Sequence, residues 1–296
     1  MASSPAVAKH IYQYKDADGV THFTDVKPPD DTSGVKATLV HIDPQPLLRS
    51  REEGPDEDRT IVFVNNTGGP ITVVLSLEKS SNVRTDPLLP ARVVVAGRSE
   101  LRALHIVAPD PSTGYSYTTK YTYLPGDYRA QPDDSVRYQL PFPADRTFRI
   151  GQAFNGPFSH NEPSNQYAVD IGMPEGTPIL AARDGVVMTV DNDFYGNGLD
   201  MSAYGDRANN VRIVHADGTM AVYAHLQLES ARVQVGEHVH AGQLLALSGD
   251  TGYSTGPHLH FCIQRNADMT MVSVPFQFHG VTGDFTPTAG MEIGAH

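Results

Sequence analysis

The stretch Gly256-Pro257-His258-Leu259-His260-Phe261 decides how this chain is read. In an extended strand, residues two apart face the same side. His258 and His260 therefore project together, while Leu259 and Phe261 turn the other way into a core. Gly256-Pro257 fixes the point of entry. Two imidazoles in one cleft suit a metal, or one ligand beside one base.

Three more stretches belong with this one. Tyr167-Ala168-Val169-Asp170-Ile171-Gly172 sets an aspartate among apolar neighbours on a short strand. Burying that carboxylate without a partner is costly, and coordination to a dication offsets the cost. Phe158-Ser159-His160 lies ten residues before Asp170. Ala221-Val222-Tyr223-Ala224-His225-Leu226 reads as a strand ending in His225, on the face shared with Tyr223 and Ala221. Two His and one carboxylate with a fourth position open is the donor set of a hydrolytic zinc site. His238-Val239-His240 is a second His-x-His pair in a turn-rich segment and acts as an internal control, expected to be structural or solvent-exposed. His215 reads as a strand-end residue, and Cys262 as a packed thiol on the side of His258 and His260.

The region 150–275 resembles the lysostaphin-type zinc endopeptidases, the LytM-like family that cuts cell-wall peptides. The supporting pieces are Gly176-Thr177-Pro178-Ile179, Asn210-Val211-Arg212-Ile213-Val214-His215-Ala216-Asp217-Gly218 and above all Thr251-Gly252-Tyr253-Ser254-Thr255-Gly256-Pro257-His258-Leu259-His260-Phe261. The resemblance implies that His160, Asp170 and His260 are ligands of one Zn2+, that His258 is the general base and that His225 assists at the oxyanion. It implies hydrolysis of peptide bonds in peptidoglycan stem peptides or cross-links. A catalytically silent scaffold that activates another wall hydrolase is the alternative. Nine residues separate His160 from Asp170 where compact members have three, so a longer loop is expected there. Position 154 is Phe where some members carry a Tyr; Tyr167, Tyr223 and Tyr253 are the candidates for that place.

Composition bounds the rest. The chain has 296 residues, a formal charge of -12, 22 prolines, 26 glycines and one cysteine. The length suggests two domains and a small extra module. Excess Gly and Pro favours turns and short strands. With 22 basic residues against 34 acidic ones and no basic run, no nucleic-acid partner is expected. A single Cys excludes a disulfide within the chain and a Cys-based zinc site. No apolar run approaches the ~20 residues of a membrane span. A wall substrate implies a periplasmic or secreted protein, with a signal peptide inferred to be absent from this sequence.

The expected class is mainly β. Residues 1–43 form a small N-terminal β unit, with Lys9–Tyr14 and Val20–Phe23 as a hairpin. It resembles a short domain of unknown role found on exported proteobacterial proteins, through Tyr12 or Tyr14, Asp16 or Asp18, Gly19 and Phe23. Residues 44–59, rich in Pro and charge, read as a linker. Residues 60–143 carry β-type runs separated by Asn, Gly and Pro, as in a β-sandwich. Two roles are open to that block: self-inhibition by covering the groove, or presenting the groove to the wall. Residues 146–281 are the antiparallel-sheet peptidase domain and 282–296 a C-terminal tail.

Overall fold

The computed structural model describes residues 7–16, 19–24, 28–29, 31–42, 46–205 and 207–294. Nearly all regular structure is strand; the helix among the described residues is the short Met201–Tyr204 turn, capped by Asp200. The mainly β expectation is met.

The N-terminal unit is an antiparallel three-stranded sheet in the order Thr21–Thr24, Val7–Lys15, Lys36–Ile42. The hairpin is as expected, and the third strand is an addition. The tip at Ala17-Asp18, the stretch Asp25-Val26-Lys27 and His296 lie outside the described residues. Tyr12 is buried and its hydroxyl donates to Glu229 Oε2 at 2.7 Å, fastening this unit to the C-terminal domain.

Two sheets then stack as a sandwich. One holds Leu48–Glu53, Asp58–Asn65, Ser99–Val107 and Arg84–Asp86 in that order; the other holds Ser116–Pro125, Ile71–Ser81 and Ala91–Val95. Alternating residues such as Ile61, Phe63, Val73, Leu75, Leu104 and Ile106 fill the space between them. The linker expected over 44–59 is corrected here. Leu48–Glu53 is an edge strand paired with Asp58–Asn65. Outward charge on an edge strand discourages pairing with other chains, and composition alone cannot tell such a strand from a solvated linker. Arg51 and Glu53 of this strand reach Glu100 and Arg102 across Asp58–Asn65.

The C-terminal domain is built on one antiparallel sheet in the order His238–Val239, Gly185–Asp191, Asn210–Val214, Met220–Ala224, His258–Asn266, Val169–Gly172, Thr147–Gln152, Glu292–Gly294. Its core gathers Ile150, Val169, Ile171, Ile213, Tyr223, Leu259, Phe261 and Phe278. Two expected boundaries shift. Tyr138 and Phe142 sit in this core, and Tyr138–Gln139 pairs in parallel with Phe278–Gly280. A division at 143/146 would cut through that packing. Nor is 282–296 a tail: Gly283–Phe285 pairs with Phe278–Gly280, and Glu292–Gly294 closes the sheet edge on Thr147–Arg149. Ile293 and Phe285 supply the apolar side of that closure, too sparse a signal to read as strands.

The sandwich and the C-terminal sheet share an apolar seam. Met188, Val214 and Met220 of the C-terminal sheet belong to the sandwich cluster. Gly68 N donates to Met188 O at 2.9 Å, and Arg98 Nη1 to Val235 O at 2.7 Å. Asn266 donates to Gly126 O. Gly68 has no room for a side chain: a Cβ there would lie 2.0 Å from Val187 O and 2.7 Å from Gly236 N.

The expectation for His215 holds at the level of place: it follows the Asn210–Val214 strand and is buried, its Nδ1 donating to Asp184 O at 2.8 Å. Burial pushes its pKa down to about 4.

Two predictions follow from these contacts. Gly68→Ala must push two backbones apart, and should cost about 1–3 kcal/mol in urea unfolding; an unchanged midpoint would show that the seam yields freely. His215 is neutral in both states above its unfolded value of about 6.5. As pH falls from there toward 4, the unfolded chain takes up a proton that the folded one refuses, so stability is lost over that window. His215→Gln, which can still donate to Asp184 O, should reduce the slope of stability against pH there by up to about 1.4 kcal/mol per pH unit. Denaturant titrations at stepped pH measure it, and equal slopes would overturn the assignment.

Candidate metal centre

Strand alternation builds the centre. In Val169–Gly172 the flanking Val169 and Ile171 are fully buried, so Asp170 faces the opposite side of the sheet. Leu259 and Phe261 are fully buried by the same logic, leaving His258 and His260 on the face of Asp170. The register makes Asp170 and His260 direct cross-strand partners, with Gln152 opposite Asp170 on the next strand and Ala224 opposite His260 on the other side.

His260 Nδ1 lies 2.9 Å from Asp170 Oδ1. His160 Nε2 lies 3.2 Å from Asp170 Oδ2. One donor atom from each of His160, Asp170 and His260 falls within 4.8 Å of the others. Donors on one tetrahedral zinc at about 2.0–2.1 Å stand roughly 3.3 Å apart, close to these spacings. His160 is fully buried, yet its Nε2 has no hydrogen-bond partner. An orphaned ring nitrogen aimed at a carboxylate and a second imidazole fits a divalent cation. Burial alone would raise the Asp170 carboxyl, but the facing His160 and His260 hold it well below the ordinary carboxylate range. Against the downward pull of burial, Asp170 lifts His160 above the ordinary imidazole value.

The long loop before Asp170 is present and ordered by its own turns. His160 N donates to Gly156 O, Asn165 N to Glu162 O and Ala168 N to Asn165 O. Its ring is fixed by Nδ1 donating to Ala153 O at 2.9 Å, which leaves Nε2 facing inward. Gln152 holds loop and aspartate together. Its Nε2 donates to Asp170 Oδ2 at 3.0 Å and to Ser159 Oγ at 2.8 Å, while its Oε1 accepts from Phe158 N. Sequence reading missed Gln152; the only signal was a polar residue ending a strand just before the His160 loop.

His225 and His258 join the group with ring centroids 4.5 Å apart. His258 Nδ1 donates to Gly256 O at 2.8 Å and its Nε2 stands 3.7 Å from Asp170 Oδ1. Ser254 braces that turn: its hydroxyl lies 2.5 Å from Asp250 Oδ1 and accepts from Gly256 N. His225 Nδ1 donates to Thr251 O at 2.6 Å. Burial first, then the neighbouring His258 and His260, push the His225 pKa down to about 3.

One expectation about His225 fails. Tyr223 and Ala221 pair with Phe261 and Ile263 on the core side, not with the histidines. Simple alternation would send His225 into the core with them. Instead its φ is +62°, in the left-handed region that a non-glycine residue rarely adopts. This turn of the backbone swings the imidazole to the other face. Gly249 permits it: a Cβ there would lie 2.6 Å from Gln227 N, and Gly249 N donates to His225 O. Strained conformations of this kind gather at functional sites.

The remaining candidates separate cleanly. Tyr223 is buried in the core, its hydroxyl accepting from Ala182 N, so it is removed from the place of the missing tyrosine. Tyr167 packs edge-on against Phe154, and Tyr253 stacks on Phe158 at the cleft lip. His240 is exposed, as the control required. Cys262 is a fully buried thiol, raised by that burial. Asn209 is buried and clamps Phe194 and Leu226, while Asn210 holds Asp191.

A cleft of about 890 Å³ opens over Asp170 and His258. None of its lining residues comes from 60–143; the sandwich meets the sheet at the far end, around Met220 and Asn266.

Comparison with known proteins finds relatives for two parts of the chain. Residues 164–271 match Peptidase family M23, and residues 1–54 match a domain of unknown function, DUF4124. His160 lies just before the first of these matches. The glycyl-glycine endopeptidase ALE-1 of Staphylococcus capitis is 39% identical over 103 residues, covering 35% of this chain and 25% of that protein. The peptidoglycan DD-endopeptidase ShyA of Vibrio cholerae serotype O1 is 32% identical over 171 residues, covering 56% of this chain and 36% of that protein. The chain thus spans about a quarter to a third of the length of these curated relatives. Among solved structures, the catalytic domain of the M23 protein EnpA from Enterococcus faecalis is 26% identical, with 46% of this chain and 93% of that one covered and a TM-score of 0.35. Residues 164–271 are thus the part of this chain that resembles peptidase family M23.

Proposed function

We propose that this chain is a zinc-dependent endopeptidase that hydrolyses peptide bonds in peptidoglycan stem peptides or cross-links. The observation that carries the reading is the orphaned Nε2 of buried His160, facing an Asp170 that His260 also approaches and that lines an open cleft. The family match and the wall-cleaving names of the relatives support the substrate class.

His160, Asp170 and His260 would hold the ion, three protein donors being the usual count in hydrolytic zinc sites. When bound, zinc lowers the pKa of a coordinated water toward ~7 and polarises the substrate carbonyl. The chain's own work is to move protons and to hold shape. His258 and His225 both spend Nδ1–H on a backbone carbonyl, so each presents a bare Nε2. Such a nitrogen accepts a proton from the attacking water, His258 being the nearer to Asp170. His225 can donate to a developing oxyanion only with a proton on Nε2. The proton therefore rests on His258, whose charged ring, 4.5 Å from His225 between centroids, faces the new negative charge. The same proton then passes to the leaving amine. Because the substrate is a wall polymer, the place of action is the periplasm or the medium.

Digestion of purified murein with and without a chelator tests the reading, with released peptides identified by mass spectrometry. Cleavage should stop on metal removal and return with zinc; cleavage that persists without metal would falsify it. Gln152→Ala frees both Asp170 and the His160 loop. Zinc affinity, measured by competition with a chromophoric chelator, should fall about 10–100-fold with the fold intact. Wild-type affinity in that variant would show that Gln152 orients nothing.

A further inference from the structure

We propose that Arg212 is an anion anchor on the metal-centre face of the sheet, and that it takes a free carboxylate carried by the substrate about three residues from the scissile bond. The inference rests on the peptidase reading above and deepens it.

Strand parity places the residue. Val211 and Ile213 are fully buried in the core, so Arg212 faces the side that carries Asp170 and His260. Across the sheet Arg212 pairs with Val222, and Val222 with Cys262, two residues beyond His260. The neighbouring row runs Asp170, His260, Ala224, Asn210, Asp191. Arg212, Ala224, Asn210 and Asp191 do not line the cleft over Asp170 and His258. Adjacent strands lie ~4.8 Å apart, so the strand of Arg212 is roughly 10 Å from that of His260. An extended peptide covers this span in about three residues, passing over the small side chain of Ala224.

The guanidinium is fixed but not neutralised. Its Nη1 donates to Gln264 Oε1 at 2.6 Å, and Gln264 is itself held by its Nε2 donating to Ser164 O at 2.9 Å. Among the described residues, no carboxylate stands at ion-pair distance from Arg212. Asp191, diagonal to it on the same face, instead accepts from Asn210 Nδ2 at 2.9 Å. Each charge is left short of a partner: burial pulls the Arg212 pKa down and pushes the Asp191 carboxyl up. An arginine keeps its proton even so. Its Nε and Nη2 bond to none of the described residues and stay open to solvent, a fork that matches the two oxygens of a carboxylate. A carboxamide offers that fork one acceptor and no charge. The chain's formal charge of -12 repels acidic peptides from the molecule as a whole, so a preference for them marks a local cation. Arg149, opposite Gly172, stands on the other side of Asp170 from Arg212 and is the control cation.

The test uses the full chain. Peptides spanning the bond cut in murein are made with a C-terminal carboxylate or carboxamide, one or three residues past that bond. The unmodified protein should favour acid over amide by about tenfold in kcat/KM at three residues, through KM, and show no such preference at one. Arg212→Gln and Thr189→Glu should each bring that ratio to about one; the second sets a carboxylate of the chain directly opposite the guanidinium. Arg149→Gln should leave the ratio as it was. Equal rates on acid and amide, a ratio that survives both Arg212→Gln and Thr189→Glu, or one lost in Arg149→Gln overturns the anchor. If the unmodified chain cuts no murein, the peptidase reading fails. Proton–nitrogen NMR then decides the anchor by itself. The Arg212 Nε–H signal, assigned by its absence in Arg212→Lys, should shift on titration with acetyl-trialanine and stay in place with its carboxamide; equal shifts count against it.

Discussion

The cross-strand pair Asp170 and His260 is the constraint on which the rest depends. The two residues are opposite each other in an antiparallel register, and each is flanked by side chains fixed in the core. Slipping that register by one residue would bury the aspartate and the histidine and expose Phe261 and Ile171. Fully burying such a side chain contributes about 1.5–3 kcal/mol, so the core decides the register and the register decides the centre. A carboxylate placed this way must meet cations or bound protons. His260 and Gln152, each hydrogen-bonded to Asp170, meet part of that need within the protein, while His160 Nε2 faces the same carboxylate without a hydrogen bond.

The other functional side chains reach the centre by exceptions to regular structure. His160 comes from a turn-rich loop docked by Gln152, and His225 from a left-handed residue just past a strand end. Regular strands set two donors at a fixed spacing. Loops then bring His160 and His225 from directions that no strand could supply. The division is physically sensible, because the strands carry the accuracy and the exceptions carry the convergence.

That division also explains what was legible in the sequence. Where the apolar alternation was complete, as in Leu259–Phe261 and Val169–Ile171, facing and partnership could be read from spacing alone. His225 was found as a residue of interest but placed on the wrong face with Tyr223, because parity counting assumes an extended backbone and the chain departs from one at that residue. Gln152 left almost no trace, since an amide that orients other groups looks like any polar strand end. Domain edges were the least readable feature. Leu48–Glu53 hid its strand under surface charge, and residues 283–294 carried too few apolar positions to show theirs.

Those late strands change how the domain should be understood. Thr147–Gln152 is the outer support of Asp170, and it would itself be an open edge without Glu292–Gly294 beside it. The C-terminal segment thus completes the sheet that holds the carboxylate and, in the same run of residues, passes along the cleft. Thr147–Gln152 is held from both sides: Arg149 pairs with Gly172 on one and with Glu292 on the other. Displacing the segment would unpair the strand leading to Gln152, and through Gln152 would loosen both Asp170 and the loop of His160. The shape of the cleft and the geometry of the donor group are therefore coupled by one short stretch of backbone hydrogen bonds, and a change in either should be felt in the other.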